Sequence, residues 1–435
     1  MILLFASRPT SRIRYAVSFL LQDILGTPFE ITDDLEQFNA FTGPRINYSQ
    51  QNIPNALHIF PADILQERGV SPQEVRVIKW EGTKALFPSP PHAGFPFDPF
   101  AAAFYMITRY EEYLPFISDQ HQRFEAHASL AMQENFLADP VVDRWAIALG
   151  HALQKQFPTF SPAPRKYRYL STVDIDNAYA YKEKGLIRTA GGYLKSFAAF
   201  DLNEVILRTR VLLRQERDPY DTYEQLLDIQ KRYDLRPIYF FLVADYGHND
   251  KNLSVHNRRF QALIKRLADY ADTGVHPSYG SNQRPEQLLV ESQRLSAILN
   301  RETERSRQHF LKMAMPETYR RLLLADIHED HTMGFAEQIG FRAGTCTPFH
   351  FYDLEREEWT DLKVVPFQVM DATLKYYMKL KPEEVIGRVK PLIDQVRSVN
   401  GLFVSLWHNE SLSENEIWKG WNPVYEELVR EAQAS

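Results

Sequence analysis

The chain has 435 residues with 44% hydrophobic and 24% charged side chains, the composition of an ordered globule of roughly two to three domains. A single cysteine, Cys346, excludes disulfide frameworks, cysteine zinc sites and iron–sulfur clusters. The 56 acidic against 50 basic residues leave a net charge of −6, which argues against nucleic acid or an anionic membrane as a partner.

The chain opens on an apolar run, Met1 to Ser7, that is too short for a signal h-region and precedes Arg8, Arg12 and Arg14; it reads as a first buried strand. No apolar run reaches the ~18 residues of a membrane span. A soluble, cytoplasmic protein without membrane insertion is therefore expected. Further β-type runs at Ala56 to Phe60 and Val75 to Trp80 mix with helical periodicities at Ser11 to Leu25, Phe100 to Leu114 and Val141 to Gln156, predicting an α/β domain over residues 1–160. Within it, Arg109-Tyr110-Glu111-Glu112-Tyr113 has the pattern of a solvated face. The prolines between Phe157 and Pro164 push each preceding residue out of the helical region and mark the boundary.

Over residues 166–435, strand-like runs at Tyr167 to Val173, Pro237 to Ala244, Arg307 to Leu311, Val364 to Val369 and Leu402 to Leu406 alternate with helical ones at Tyr223 to Tyr233, Phe260 to Tyr270, Pro285 to Leu299 and Glu383 to Val399. Alternation implies parallel pairing, hence a barrel or doubly wound sheet with its chemistry at the carboxyl edge. The helical stretch from Gly185 to Arg217 reads as a peripheral elaboration.

Strand ends carry the polar residues. The first run ends Val173-Asp174-Ile175-Asp176, so two carboxylates two apart project together and repel unless a cation or proton separates them. His276 follows a brief apolar run, Arg307 and His309 share a face by the same alternation, and the most strongly apolar strand ends on Trp407-His408. Carboxylate and imidazole are the ligands of a catalytic zinc site. Asp176, His276 and one further histidine would complete it. His328-Glu329-Asp330-His331 has its histidines three apart where the helical zinc motif needs four. Cys346 lacks a thiolate-stabilising partner and reads as an inert small residue.

From Lys166 to the C-terminus these residues resemble the polysaccharide deacetylases of carbohydrate esterase family 4, bacterial proteins included, which share the NodB homology domain. The resemblance implies a distorted (β/α) barrel behind a smaller N-terminal α/β domain of unknown function. It implies Asp174 as catalytic base, Asp176 and His276 as metal ligands, Arg307 as the arginine pairing with the base, and His408 as general acid. The family's second metal histidine, four residues on, is Gly280 here; His309, leaving the strand on the face of Arg307, is inferred to replace it. The fourth motif is matched by Asp330 or Asp371. Arg342, in a glycine-flanked turn, is a candidate substrate clamp with Asp330, and Trp407, Trp418 and Trp421 offer a candidate sugar-stacking face. The resulting expectation is a hydrolase with a divalent metal, zinc before cobalt or nickel, that removes acetyl groups from an N-acetylated sugar. The alternatives are a degenerate relative that binds glycan or a partner, and an amidohydrolase of small amides.

Overall fold

The computed structural model describes residues 1–415 and 417–434. Four short strands, β1 (Ile2–Phe5), β2 (Phe29–Thr32), β3 (Arg45–Tyr48) and β4 (Leu57–Ile59), form a parallel sheet in the order β2-β1-β3-β4. A hairpin of β5 (Val77–Trp80) and β6 (Thr83–Leu86) follows. The helix Pro99–Ile107 starts where Asp98 accepts from the amides of Phe100 and Ala101, with proline at its first position. The helix Val141–Gln156 buries Val141, Val142, Trp145, Ala146, Leu149 and Leu153, residues that recur on one face at helical spacing.

The second sheet has nine strands: β7 (Arg168–Ile175), β8 (Ile238–Phe241), β9 (Asp272–Val275), β10 (Arg305–Ser306), β11 (Glu329–Asp330), β12 (Phe349–Asp353), β13 (Glu358–Val364), β14 (Val369–Met370) and β15 (Leu402–His408). Eight of them pair in parallel, and β12 adds antiparallel to β13 at one end. The order runs β14-β15-β7-β8-β9-β10-β11-β13. From β7 to β11 each strand thus lies beside its successor, and the last two strands, β14 and β15, return to the far side of β7. No ladder joins β13 to β14 among the described residues. The central strands β7, β8 and β15 are buried almost throughout, as parallel strands covered on both faces must be.

The two sheets are not isolated from each other. One core runs from Leu4 and Trp145 to Val275 and Trp407. Across it lies a buried polar cluster that corrects one expectation. Arg109 and Glu112 are buried, not solvated: Arg109 Nε bonds Glu112 at 2.7 Å, and both Glu112 oxygens accept from Arg342, at 2.9 and 2.6 Å. Burial favours the neutral acid, but Arg342 and Arg109 outweigh it and hold Glu112 below the ordinary carboxylate range. Asp143 similarly accepts from Thr345 Oγ1, the Cys346 amide and Arg165. Burial raises the Cys346 thiol well above its usual pKa, which suits an inert role. Among the described residues no helix is long and apolar enough to cross a membrane.

Candidate metal centre and pocket

The carboxyl ends of β7, β9 and β15 and the segment after β10 meet around a cavity of about 230 Å³. β7 delivers Asp174 at its second-last residue, and Asp176 follows one residue beyond its end. Arg307, fully buried, donates from Nη1 to Asp174 Oδ1 at 2.8 Å, while its Nε donates to the carbonyl of His331 at 3.0 Å. Phe240 stacks under the guanidinium, 4.5 Å from its carbon.

Asp176, His276 and His309 form the metal-competent group among the described residues, their ligand atoms all within 4.8 Å of one another. His276 Nε2 lies 3.2 Å from Asp176 Oδ1, and His309 Nε2 lies 3.5 Å from Oδ2. The edges of a tetrahedron with ~2.0–2.1 Å bonds are about 3.3–3.4 Å long, so these spacings fit a shared cation. The other ring nitrogens are committed. His276 Nδ1 faces the carbonyl oxygen of Arg307, which can only accept, and His309 Nδ1 lies 2.8 Å from Asp250 Oδ1. Each ring therefore presents Nε2 to Asp176, oriented by an acceptor behind it, as metal-binding imidazoles are. Asp176 Oδ1 is buried without a hydrogen-bond partner. A carboxylate that faces one imidazole with each oxygen, one of them orphaned, is a donor set that fits a divalent ion.

Burial would favour the neutral form of Asp176, but His309 and His276 hold it well below the ordinary carboxylate range. For His309 burial opposes charge, and the carboxylates of Asp176 and Asp250 override it, lifting the imidazole to about 9. His408 ends β15 with Nδ1 2.8 Å from Asp371 Oδ1 and its amide donating to Oδ2 at 2.8 Å. Burial again opposes charge, and Asp371, aided by Asp176 and Asp174, raises His408 well above the usual value. Glu410, on the same wall, is lifted by burial to about 7 against the pull of His408.

Sequence reasoning thus selects Asp174, Asp176, His276, Arg307, His309 and His408, and the structure brings all six together. The predicted strand over Arg307 to Leu311 is not there. β10 ends at Ser306, and Phe310 and Leu311 adopt left-handed φ of 60° and 52°, placing His309 in a short 3₁₀ turn. Its amide still bonds the carbonyl of Pro277 at 3.1 Å, which keeps the ring beside His276. Gly280 lies in the 3₁₀ turn Tyr279–Asn282, and Asp250 accepts from the neighbouring Tyr279 amide.

Three expected substrate contacts do not reach the cavity. Arg342 is bound to Glu112 and the carbonyl of Gly334. Asp330 is fully buried behind β10, accepting from Ser306 and Thr332. Trp407 is fully buried against Trp421 and Tyr425; of the three late tryptophans only Trp418 lines the cavity. His331 faces Glu329 at 2.8 Å, outside the metal-competent group.

The sequence reading missed Asp250 and Glu410, and it named Asp371 only as an alternative to Asp330. It also missed Arg123, which comes from the first part of the chain to line the cavity. Arg123 pairs with Asp119 at 2.6 Å and donates to the Phe310 carbonyl at 2.9 Å and the Tyr377 hydroxyl at 3.0 Å.

Residues 2–158 match a family described as a family of unknown function, DUF7033. No curated protein matches the chain. Three solved structures are similar over part of it. The allantoinase Puue shares 11% identity over 63% of this chain and 89% of its own, with a TM-score of 0.41. A polysaccharide deacetylase from Bacillus cereus shares 10% over 61% and 88%, with a TM-score of 0.30. A pseudoenzyme of carbohydrate esterase family 4 from Bacillus anthracis shares 10% over 63% and 64%, with a TM-score of 0.31.

Proposed function

We propose that the chain is a metal-dependent hydrolase that removes acetyl groups from an N-acetylated sugar. The observation that carries this reading is the convergence in one cavity of a metal-competent Asp176-His276-His309 group, an arginine-held carboxylate and a carboxylate-held imidazole. The same proposal divides the chain into residues 1–160 and 166–435 and reads the second part as a distorted (β/α) barrel, opened between β13 and β14. Eight parallel strands in sequential order support it.

Asp176, His276 and His309 would hold the ion, with zinc favoured by a set of two imidazoles and one carboxylate. When bound, a divalent ion supplies Lewis-acid polarisation of an amide carbonyl and lowers the pKa of water. Asp174, one oxygen fixed by Arg307, keeps the other free to accept the proton of the attacking water. His408, charged and fixed by both oxygens of Asp371, donates a proton to the departing amine. Phe310 and Tyr376 line the approach with rings on which a sugar face can stack.

The test is acetate release from N-acetylglucosamine oligomers and a panel of small amides, with metal content measured alongside. Asp174→Asn should keep the metal and lose about 10²–10⁴-fold in rate, whereas His276→Ala should lose the metal itself. Equal metal in wild type and His276→Ala overturns the site. Glycan binding by the metal-loaded wild type without hydrolysis of any amide would favour a degenerate binding protein.

A further inference from the structure

Between β7 and β8 the chain forms a helical hairpin, Gly185–Ala198 and Leu202–Leu212, of which only Ser196 and Val211 are buried. The amphipathicity of the first helix is inverted. Leu186, Ile187, Leu194 and Phe197 fall within an arc of about 100° at helical spacing, and that arc faces solvent, with Ile187 90% and Leu194 71% exposed. Phe200 in the connecting turn is 90% exposed, and Leu202 and Ile206 continue the apolar surface. The polar residues turn inward: Arg188 donates to the carbonyls of Lys251 and Asn252, and the Tyr193 hydroxyl bonds Thr209. The root is fixed, because Asp218 accepts from the amides of Ala180, Tyr181 and Lys182.

Charge selects what covers this surface. Residues 182–217 hold eight lysines and arginines against four carboxylates, in a chain whose net charge is −6. Lys195 and Arg214 have no ion-pair partner among the described residues, and Arg210 comes only within 3.9 Å of Glu216. A second copy would bring two positively charged hairpins together, which Coulomb repulsion opposes. An apolar ridge flanked by cations without partners suits the interface of an anionic bilayer, where rings and aliphatic chains enter the headgroup boundary and the cations meet phosphates. We propose that this hairpin docks the protein on an anionic phospholipid surface, lying in the interface without spanning it. The overall negative charge masks this patch in a whole-chain count.

Co-sedimentation with phosphatidylglycerol-containing vesicles and with pure phosphatidylcholine vesicles tests the proposal. The wild type should bind the anionic vesicles, release as salt rises and bind the neutral ones about tenfold or more weakly. Ile187→Glu/Phe200→Glu, changes at two freely exposed positions, should lose anionic binding by about tenfold or more while keeping the circular dichroism of the wild type. Lys195→Glu/Arg214→Glu should do the same by removing the charge component alone. No binding to anionic vesicles overturns the proposal, and so does equal, salt-independent binding to both. Sedimentation equilibrium run in parallel identifies the rival: self-association abolished by Ile187→Glu/Phe200→Glu, without vesicle binding, would assign the surface to a second copy.

Discussion

Arg307→Met separates the ion pair at the centre of the site from its surroundings. Arg307 and Asp174 are both essentially inaccessible, and their charged atoms approach to 2.8 Å. At that distance and an effective dielectric of about 20, the gross attraction is about 6 kcal/mol, most of it offset by the cost of desolvating both ions. Removing the arginine leaves a buried carboxylate without its hydrogen-bonded cation, which costs about 3–5 kcal/mol. Asp174→Asn leaves the guanidinium stranded in the same way, although Phe240 and the His331 carbonyl still contact it. In Arg307→Met/Asp174→Asn neither charge remains, so the double variant should be more stable than the sum of the single losses by about 2 kcal/mol. Urea unfolding of the four proteins, with chelator present so that metal occupancy does not enter, gives the cycle directly. Losses that add to within about 0.5 kcal/mol would refute a direct pairing of the two side chains.

Three further outcomes follow from the geometry. With His309 lifted to about 9 in the metal-free protein, zinc uptake at pH 7 should expel about one proton per ion, read by an indicator dye in weak buffer; a release of zero contradicts the ligand assignment. Because that pKa lies above the ordinary 6.5, its contribution to apo-protein stability is complete below about 6.5 and fades as pH rises through about 9, while metal affinity climbs over the same window. Asp371→Asn removes the charge that raises His408, so activity should fall about 10²-fold with metal retained, and the alkaline limb of the pH–rate profile should move to lower pH; an unmoved limb rules out His408 as the acid. Arg342→Met should cost about 1.5–3 kcal/mol, because Glu112 loses one of its two guanidinium partners and keeps Arg109, with KM unchanged, whereas a raised KM at unchanged stability would restore Arg342 to the substrate.

What the sequence reveals depends on how much chain each feature occupies. β7 and β15 are seven or eight residues long and buried on both sides, so their apolar runs and terminal Asp174, Asp176 and His408 are legible. β10, β11 and β14 have two residues each, too few for any periodicity. Asp371 follows one of these, and Asp250 stands in the loop between β8 and β9, where no pattern announces it. The glycines around Arg342 were misread for a physical reason. Gly340 and Gly344 have φ of +139° and +66°, and a Cβ would sit 2.5 Å from the Leu137 carbonyl oxygen or 2.9 Å from Met106 Cε. They permit the first part of the chain to pack closely against this turn, a requirement that resembles a binding turn when only one side of the contact is in view.

The reach of Arg123 into the cavity gives the two halves of the chain different freedoms to vary. Asp174 and His408 sit at the ends of buried strands, where a substitution disturbs packing on both faces of a sheet. Arg123 stands in a short loop of the other half, held by Asp119, a backbone carbonyl and a tyrosine hydroxyl. Changes there can reshape what the cavity admits while the strands beneath it stay as they are. Diversification of this protein, by selection or by design, has an inexpensive route through that loop.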